Sequence, residues 1–289
     1  MLQIVKNTVE ISLQKPVKLL HVTDTHLSYA DERDDLRKQK LAIARQREAF
    51  NDTPDERILK SFLKMIEYAN SNCDLLVHTG DLIDFISVQN LEKARYALDQ
   101  ANNWFLIAGN HEFSRYVGEA WEDTAYKMHP PTFHQVRNGL GTDLLFAARE
   151  VGGVNIVGIE NGYYQVERWQ TERLKMEAAK QLPIILAIHN PLFEQSLYVE
   201  MMDGGKAKST GLVGCDEKHL LPYDEYRAVQ QRPTRDTMEF IEYVHSEPCI
   251  KAVLAGHLHK NFESKLPGGI TQYVTGGGFN DIAREITIV

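Results

Sequence analysis

Five short apolar runs, at residues 17–22, 75–77, 105–108, 184–188 and 252–255, each lead straight into a group of carboxylate, imidazole or amide side chains. Those groups are Asp24-Thr25-His26, Gly80-Asp81 with Asp84 following, Gly109-Asn110-His111-Glu112, His189-Asn190-Pro191, and Gly256-His257-Leu258-His259. Apolar runs without alternation read as strands buried on both faces, which belong to α/β folds. A loop leaving such a strand is where those folds place chemistry. Helical patterns near 88–100, 115–127, 167–180 and 234–245 separate the later runs. A further helix opens at Thr53-Pro54-Asp55-Glu56, a capping box with Pro at the first helical position, and buries Ile58, Leu59, Phe62, Ile66 and Ala69. Two hairpins are expected: 144–149 turning at Gly152-Gly153 into 154–159, and 262–266 turning at Pro267-Gly268-Gly269 into 270–275, with a closing strand at 282–289. Strand–helix–strand units followed by antiparallel pairs imply mixed sheets. No linker interrupts the pattern, so a single domain over residues 1–289 is expected, carrying an insertion at about 194–235.

The donor types set the chemistry. Carboxylate and amide oxygens mixed with imidazole nitrogens suit divalent first-row metals: Mn, Fe, Co, Ni or Zn. There are too many donors for one tetrahedral ion and enough for two ions sharing a carboxylate. In an extended segment, residues two apart point the same way, so Asp24 with His26, and His257 with His259, can each address one site. An Asp-x-His alone is ordinary loop chemistry; five such groups, each after a strand, point to a two-metal hydrolytic centre.

At this point the sequence resembles the calcineurin-like metallophosphoesterases, whose pattern is Asp-x-His, Gly-Asp-x-x-(Asp/Asn), Gly-Asn-His-(Asp/Glu), a single His, and Gly-His-x-His. All five blocks occur in order between Asp24 and His259. The resemblance implies a four-layer α-β-β-α sandwich of two mixed sheets flanked by helices, with the metals at one edge. It implies one ion held by Asp24, His26 and His259, a second by Asn110, His189 and His257, and Asp81 bridging both. His111 matches the catalytic histidine that meets the leaving oxygen, Glu112 the position that orients it, and Asp84 a carboxylate that fixes ring orientation. Asp84 is followed by Phe85-Ile86 in place of Arg-Gly, which argues against a phosphoprotein phosphatase. Two ions about 3.5–4 Å apart lower the pKa of a bridging water, so the expected reaction is phosphoester hydrolysis by a metal-bridging hydroxide, with diesters favoured over monoesters.

Composition fits a soluble enzyme of this kind. A net charge of −8 argues against a stable nucleic-acid complex, since phosphate tracking wants a basic face. That balance, with no added segment suited to capping DNA, weighs against a DNA-repair-type nuclease. A non-catalytic scaffold on the same fold would have shed donors that this chain keeps. Cys73, Cys215 and Cys249 are odd in number and widely spaced, so neither a disulfide framework nor a zinc knuckle is indicated. The N-terminal residues alternate apolar and polar with no signal-peptide core, and no run approaches bilayer length, so a cytoplasmic protein without membrane association is expected.

Two segments lie outside the minimal plan. In residues 31–48 acidic side chains precede basic ones, as a helix dipole favours, and Leu36, Ile43 and Phe50 form one narrow stripe; a solvated helix resting on the body is expected. Residues 194–235 are polar, and Gly204 to Gly211 lack P-loop spacing, so a surface loop is expected. Because the segment leaves directly from His189-Asn190-Pro191, a substrate-facing lid offering Lys206, Lys208 and Arg235 is the competing expectation. His21 and His78 sit inside apolar runs and read as satisfied core histidines; Tyr163 and Tyr164 follow a strand and either pack or stack on substrate.

Overall fold

A computed structural model describes residues 1–52, 55–121 and 130–289. Its strands are β1 (Gln3–Val9), β2 (Val17–Val22), β3 (Leu75–His78), β4 (Trp104–Leu106), β5 (Phe146–Val151), β6 (Val154–Ile159), β7 (Ile184–Ile188), β8 (Ile250–Ala255), β9 (Phe262–Lys265), β10 (Thr271–Val274) and β11 (Ile282–Ile288). The helices are α1 (Leu36–Ala44), α2 (Arg57–Asn72), α3 (Val88–Leu98), α4 (Pro130–Leu140), α5 (Arg168–Ala178), α6 (Gln195–Met202), α7 (Glu217–Leu220), α8 (Glu225–Gln231) and α9 (Arg235–Ser246).

One sheet runs β1-β11-β2-β3-β4 and the other β5-β6-β7-β8-β10-β9. Strands β2, β3 and β4 are mutually parallel, as are β6, β7 and β8, and both expected hairpins form as antiparallel pairs. The closing strand β11 lies inside its sheet, parallel to β1 and antiparallel to β2. Burial divides into three apolar layers. Val17, Leu19, Val77, Ile156, Ile185 and Leu254 fill the space between the sheets. Outer layers pack α2, α3 and α4 on the first sheet and α5, α6 and α9 on the second. This is the four-layer sandwich, two mixed sheets between helices. Helix α2 shows why: Ile58, Leu59, Phe62, Met65, Ile66 and Ala69 recur at helical spacing on its buried face, each large side chain contributing about 1.5–3 kcal/mol. Among the described residues no helix is long and apolar enough to cross a membrane.

Several local expectations give way. Helix α2 begins at Arg57, after Glu56 in left-handed conformation, and the Asp52 carboxylate accepts the Ile58 N–H at 2.6 Å; the expected cap residues Thr53 and Pro54 lie outside the described residues. Of the helix expected over 115–127, the described part is a short 3₁₀ turn at Val117–Trp121. In the 31–48 segment α1 passes into a π turn at Arg45–Ala49, and the narrow stripe fails: Leu36 and Ile43 are exposed and Phe50 alone is buried. Residues 194–235 are no flexible loop. They fold as α6, α7 and α8 around Leu197, Tyr198, Leu212, Val213, Leu220 and Tyr223, and pair with the body through a Leu192–Val213 bridge. Periodicity missed this because the helices are short, four to eight residues, and share one small core.

Candidate metal centre

The parallel strands of both sheets deliver their C-terminal loops to a common edge. The loops after β2 and β3 are zipped by backbone hydrogen bonds, Asp24 N–H to Gly80 at 3.0 Å and His26 N–H to Asp81 at 2.9 Å. Close approach requires glycine at two points. A Cβ on Gly109 would strike the Asp81 carboxylate and the His189 ring, and one on Gly256 would strike Thr23 and Asp24. The two segments expected to be extended are instead turned: Asp24, His26, His257 and His259 have φ between 51° and 66°, and Asp81 shares that conformation at φ 54°. Side chains two apart therefore converge through left-handed turns rather than through a pleat. Non-glycine residues in such conformations cost about 1–3 kcal/mol each and gather where the fold over-determines them for function.

Asp24, His26 and His259 each bring one donor atom to within 4.8 Å of the others, and Asp81, His189 and His257 do the same. The two groups meet at Asp81, whose Oδ2 lies 3.2 Å from His189 Nε2 and 3.8 Å from His26 Nε2. Asn110 Oδ1 joins the second group, 3.0 Å from His189 Nε2, while its Nδ2 donates to the Ala120 carbonyl. Outer hydrogen bonds aim the rings. His26 Nδ1 lies 3.1 Å from Asp84 Oδ1 and His189 Nδ1 lies 2.8 Å from the Thr79 carbonyl, so each ring, once it gives up its second proton, turns the lone pair of Nε2 inward. His26 Nε2 and His259 Nε2 face each other at 3.2 Å, and the buried Asp24 Oδ1 has no hydrogen-bond partner. A buried carboxylate oxygen that makes no hydrogen bond, 3.2 Å from His259 Nε2, and two imidazole nitrogens aimed at one another form a mixed O/N set that fits divalent first-row cations.

Charge follows the same geometry. Burial opposes ionisation of Asp24, but His259 and His26 hold it well below the usual carboxylate range. Burial likewise opposes the charged forms of His26 and His189, yet Asp24 and Asp84 raise His26 to about 10, and Asp81 raises His189 to about 9. Burial pushes His257 down to about 3, with His189 adding to the effect.

His111 lies beside both groups and enters a third with His26 and Asp81. Its Nδ1 is 2.7 Å from the Asp84 carbonyl and 3.3 Å from Asp84 Oδ1, so Asp84 helps to position this ring. Glu112, expected to orient His111, does other work: its carboxylate accepts the backbone N–H groups of Gly109, Asp81, Leu82 and Ile83 at 2.6–3.3 Å and ties the second and third loops together. Asp84 is in turn gripped by Arg45, Nε at 2.6 Å and Nη2 at 2.9 Å, and Phe50 stacks on His26 at 5.3 Å. Arg45 and Phe50 come from the segment expected to be a solvated helix. The arginine's charge is an ordinary surface feature in sequence, and nothing local marks it as a partner of Asp84. Tyr164 also reaches the site, its hydroxyl 3.1 Å from His257 Nε2. His21 and His78 are core histidines with partners on both ring nitrogens, Thr79 and Thr275 for the first, Thr25 and the Gly80 N–H for the second.

The sequence profile described as calcineurin-like phosphoesterase matches residues 17–261. The chain belongs to the calcineurin-like phosphoesterase family. A probable cyclic nucleotide phosphodiesterase of Psychrobacter sp. is 27% identical over 198 residues, 65% of this chain and 47% of that protein, so the match spans about half of the relative. A 3′,5′-cyclic adenosine monophosphate phosphodiesterase of Haemophilus influenzae is 25% identical over 265 residues, 91% of this chain and 77% of that protein. In structure the chain resembles a dimetal phosphatase from Danio rerio, with a TM-score of 0.52, 13% identity, and coverage of 91% and 88% of the two chains. It also resembles a purple acid phosphatase from yellow lupin, with a TM-score of 0.51, 12% identity, and coverage of 91% and 44%. At those identities the likeness establishes the fold of this calcineurin-like chain.

Proposed function

We propose that this protein is a metal-dependent phosphoesterase with phosphodiesters as its preferred substrates. The observation that carries the reading is the meeting of two donor groups at Asp81, with Asp24 Oδ1, which makes no hydrogen bond, turned into the first 3.2 Å from His259 Nε2. Asp24, His26 and His259 would hold one cation, Asn110, His189 and His257 the other, and Asp81 would serve both. Two divalent ions in such a centre supply Lewis acidity, acidifying water and offsetting charge on the phosphoryl oxygens. His111 sits next to the donors with Nδ1 held by Asp84, and there it would meet the leaving oxygen with a proton or a hydrogen bond. Asp84 fixes the His26 and His111 rings together, and Arg45 keeps that carboxylate in place. Glu112 holds the two loops that carry Asp81 and Asn110 at a fixed separation. The preference for diesters is supported by the phosphodiesterase names of the two relatives and by the absence of the Asp-Arg-Gly sequence at Asp84.

The test is a metal-by-substrate screen of the purified chain with bis-nitrophenyl phosphate and nitrophenyl phosphate. Turnover that chelation abolishes and Mn, Fe, Co, Ni or Zn restores is expected, with the diester turned over faster. Turnover indifferent to chelation would refute the metal reading, and a faster monoester would refute the substrate preference.

A further inference from the structure

A sixth strand end reaches the edge where the donors gather. Strand β6 is buried along its whole length and runs parallel to β7, so the loop that follows it, Asn161-Gly162-Tyr163-Tyr164, emerges beside the donor loops. These four residues lie outside the five donor groups of the sequence, yet each is tied to a residue of the second cation group. Asn161 faces the His189 loop: its Oδ1 accepts the N–H groups of His189 at 3.0 Å and Asn190 at 2.9 Å, and its Nδ2 donates to the Asn190 carbonyl at 2.8 Å. Gly162 and Tyr163 face Asn110. A Cβ on Gly162 would lie 2.7 Å from the Asn110 backbone nitrogen, and the Tyr163 hydroxyl donates to the Asn110 carbonyl at 3.2 Å. Tyr164 faces His257, its hydroxyl 3.1 Å from Nε2 and the two rings edge-on at 5.8 Å.

The loop is itself held in one shape. The Tyr164 N–H donates to the Asn161 carbonyl at 2.8 Å, closing a turn with Tyr164 at φ 65°, and Asn190 Nδ2 donates to the Gly162 carbonyl at 3.1 Å. The Tyr164 ring is buried in the apolar layer outside the second sheet. Its hydroxyl also chooses between the nitrogens of His257. A Cβ on Gly211 would lie 3.0 Å from both Cδ2 and Nε2 of that ring, so this edge faces the insertion and Tyr164, and Nδ1 lies on the opposite edge. A histidine that binds a metal through one nitrogen donates its other N–H to a nearby oxygen, which fixes tautomer and orientation. Asp84 and the Thr79 carbonyl are such oxygens for His26 and His189.

We propose that residues 161–164 are the positioning element of the second cation site, acting through Asn110, His189 and His257. Within it, Tyr164 accepts the Nε2–H of His257 and so leaves Nδ1 as the atom offered to the cation. This deepens the metal reading above and rests on it.

Calorimetric titration of zinc into the metal-free chain tests it, and the wild type should take up two ions. Tyr164→Phe keeps the ring and removes only the oxygen. It should bind one ion about 10–100-fold more weakly, the same ion that His189→Ala loses, and the other within about twofold of wild type. Gly162→Ala, which presses on Asn110, should weaken that same ion. Two ions held by Tyr164→Phe with wild-type affinity, or both weakened alike as by a general loss of stability, would overturn the proposal with the metal reading intact. A wild-type chain that takes up no zinc would refute that reading and this proposal with it. The tautomer is a separate readout. In the long-range proton–nitrogen spectrum of the zinc-loaded wild type, His257, identified by the signals missing from His257→Gln, should carry its proton on Nε2. In Tyr164→Phe that proton should exchange with water faster. A His257 protonated on Nδ1 would overturn the proposal whatever the affinities.

Discussion

Glu112→Gln isolates the residue whose structural role departs most from its sequence position. Glu112 Oε1 accepts from Leu82 and Ile83, and Oε2 from Asp81 and Gly109, all four bonds buried. A glutamine of the same shape must turn its NH₂ toward one of these donor pairs whichever way the amide is flipped. Two N–H groups then lose their acceptor and face another donor. Hydrogen bonds to a charged group contribute about 1.5–3 kcal/mol each, so losing two costs about 3–6 kcal/mol. For a chain of this size that corresponds to a fall of on the order of 10 °C in Tm. The loss should be concentrated in the Asp81 and Asn110 loops, so metal content should fall as well. Thermal melting of the metal-loaded and chelated proteins, with elemental analysis, measures both. A Tm within about 2 °C of wild type and full metal content would refute the anchoring role. If those were unchanged and turnover fell only for esters with poor leaving groups, Glu112 would be acting through His111, as the family pattern suggests.

Asp81→Ala removes the carboxylate shared by both donor groups and should lose both ions or keep one weakly, by elemental analysis; full occupancy would sink the bridging assignment. His111→Ala should keep its metal and lose about 10²–10⁴ in turnover of alkyl esters, with a smaller loss on nitrophenyl esters, and equal losses on both would contradict proton delivery. Arg45→Ala frees the Asp84 carboxylate that holds His26 and His111; because Arg45 is 26% exposed, water replaces part of the pair, and a fall of about tenfold or more in kcat or metal affinity with little change in Tm is expected. In the metal-free protein His26 and His189 titrate at about 10 and about 9, above the ordinary 6.5, so both carry protons at neutral pH that an entering ion must displace. Their contribution to the stability of the metal-free fold is complete below about 6.5 and is lost as pH rises through 9 to 10. Calorimetry in buffers of different ionisation enthalpy should show proton release on metal uptake and tighter binding as pH rises from 7 toward 9; affinity independent of pH would contradict this.

Every strand but β1, both hairpins and the order of the donor groups were legible in the sequence, because buried strands need uninterrupted apolar runs and loops that leave them are short. Local pattern could not say how Asp24 and His26, or His257 and His259, face one point. That is decided by left-handed turns braced against neighbouring strands, an energy that only the packed fold supplies. Arg45 and Phe50 were invisible as site residues for the same reason: each reaches the centre across a long sequence separation, with no spacing to signal it. Glu112 shows the limit most clearly. Its place beside His111 in the chain suggests a partnership, but a buried carboxylate goes where backbone N–H groups would otherwise be orphaned, and four of them lie between Gly109 and the Asp81 loop. Sequence set which chemistry can assemble here. Long-range packing decided which side chain serves which partner, because hydrogen-bond satisfaction is settled in three dimensions and not along the chain.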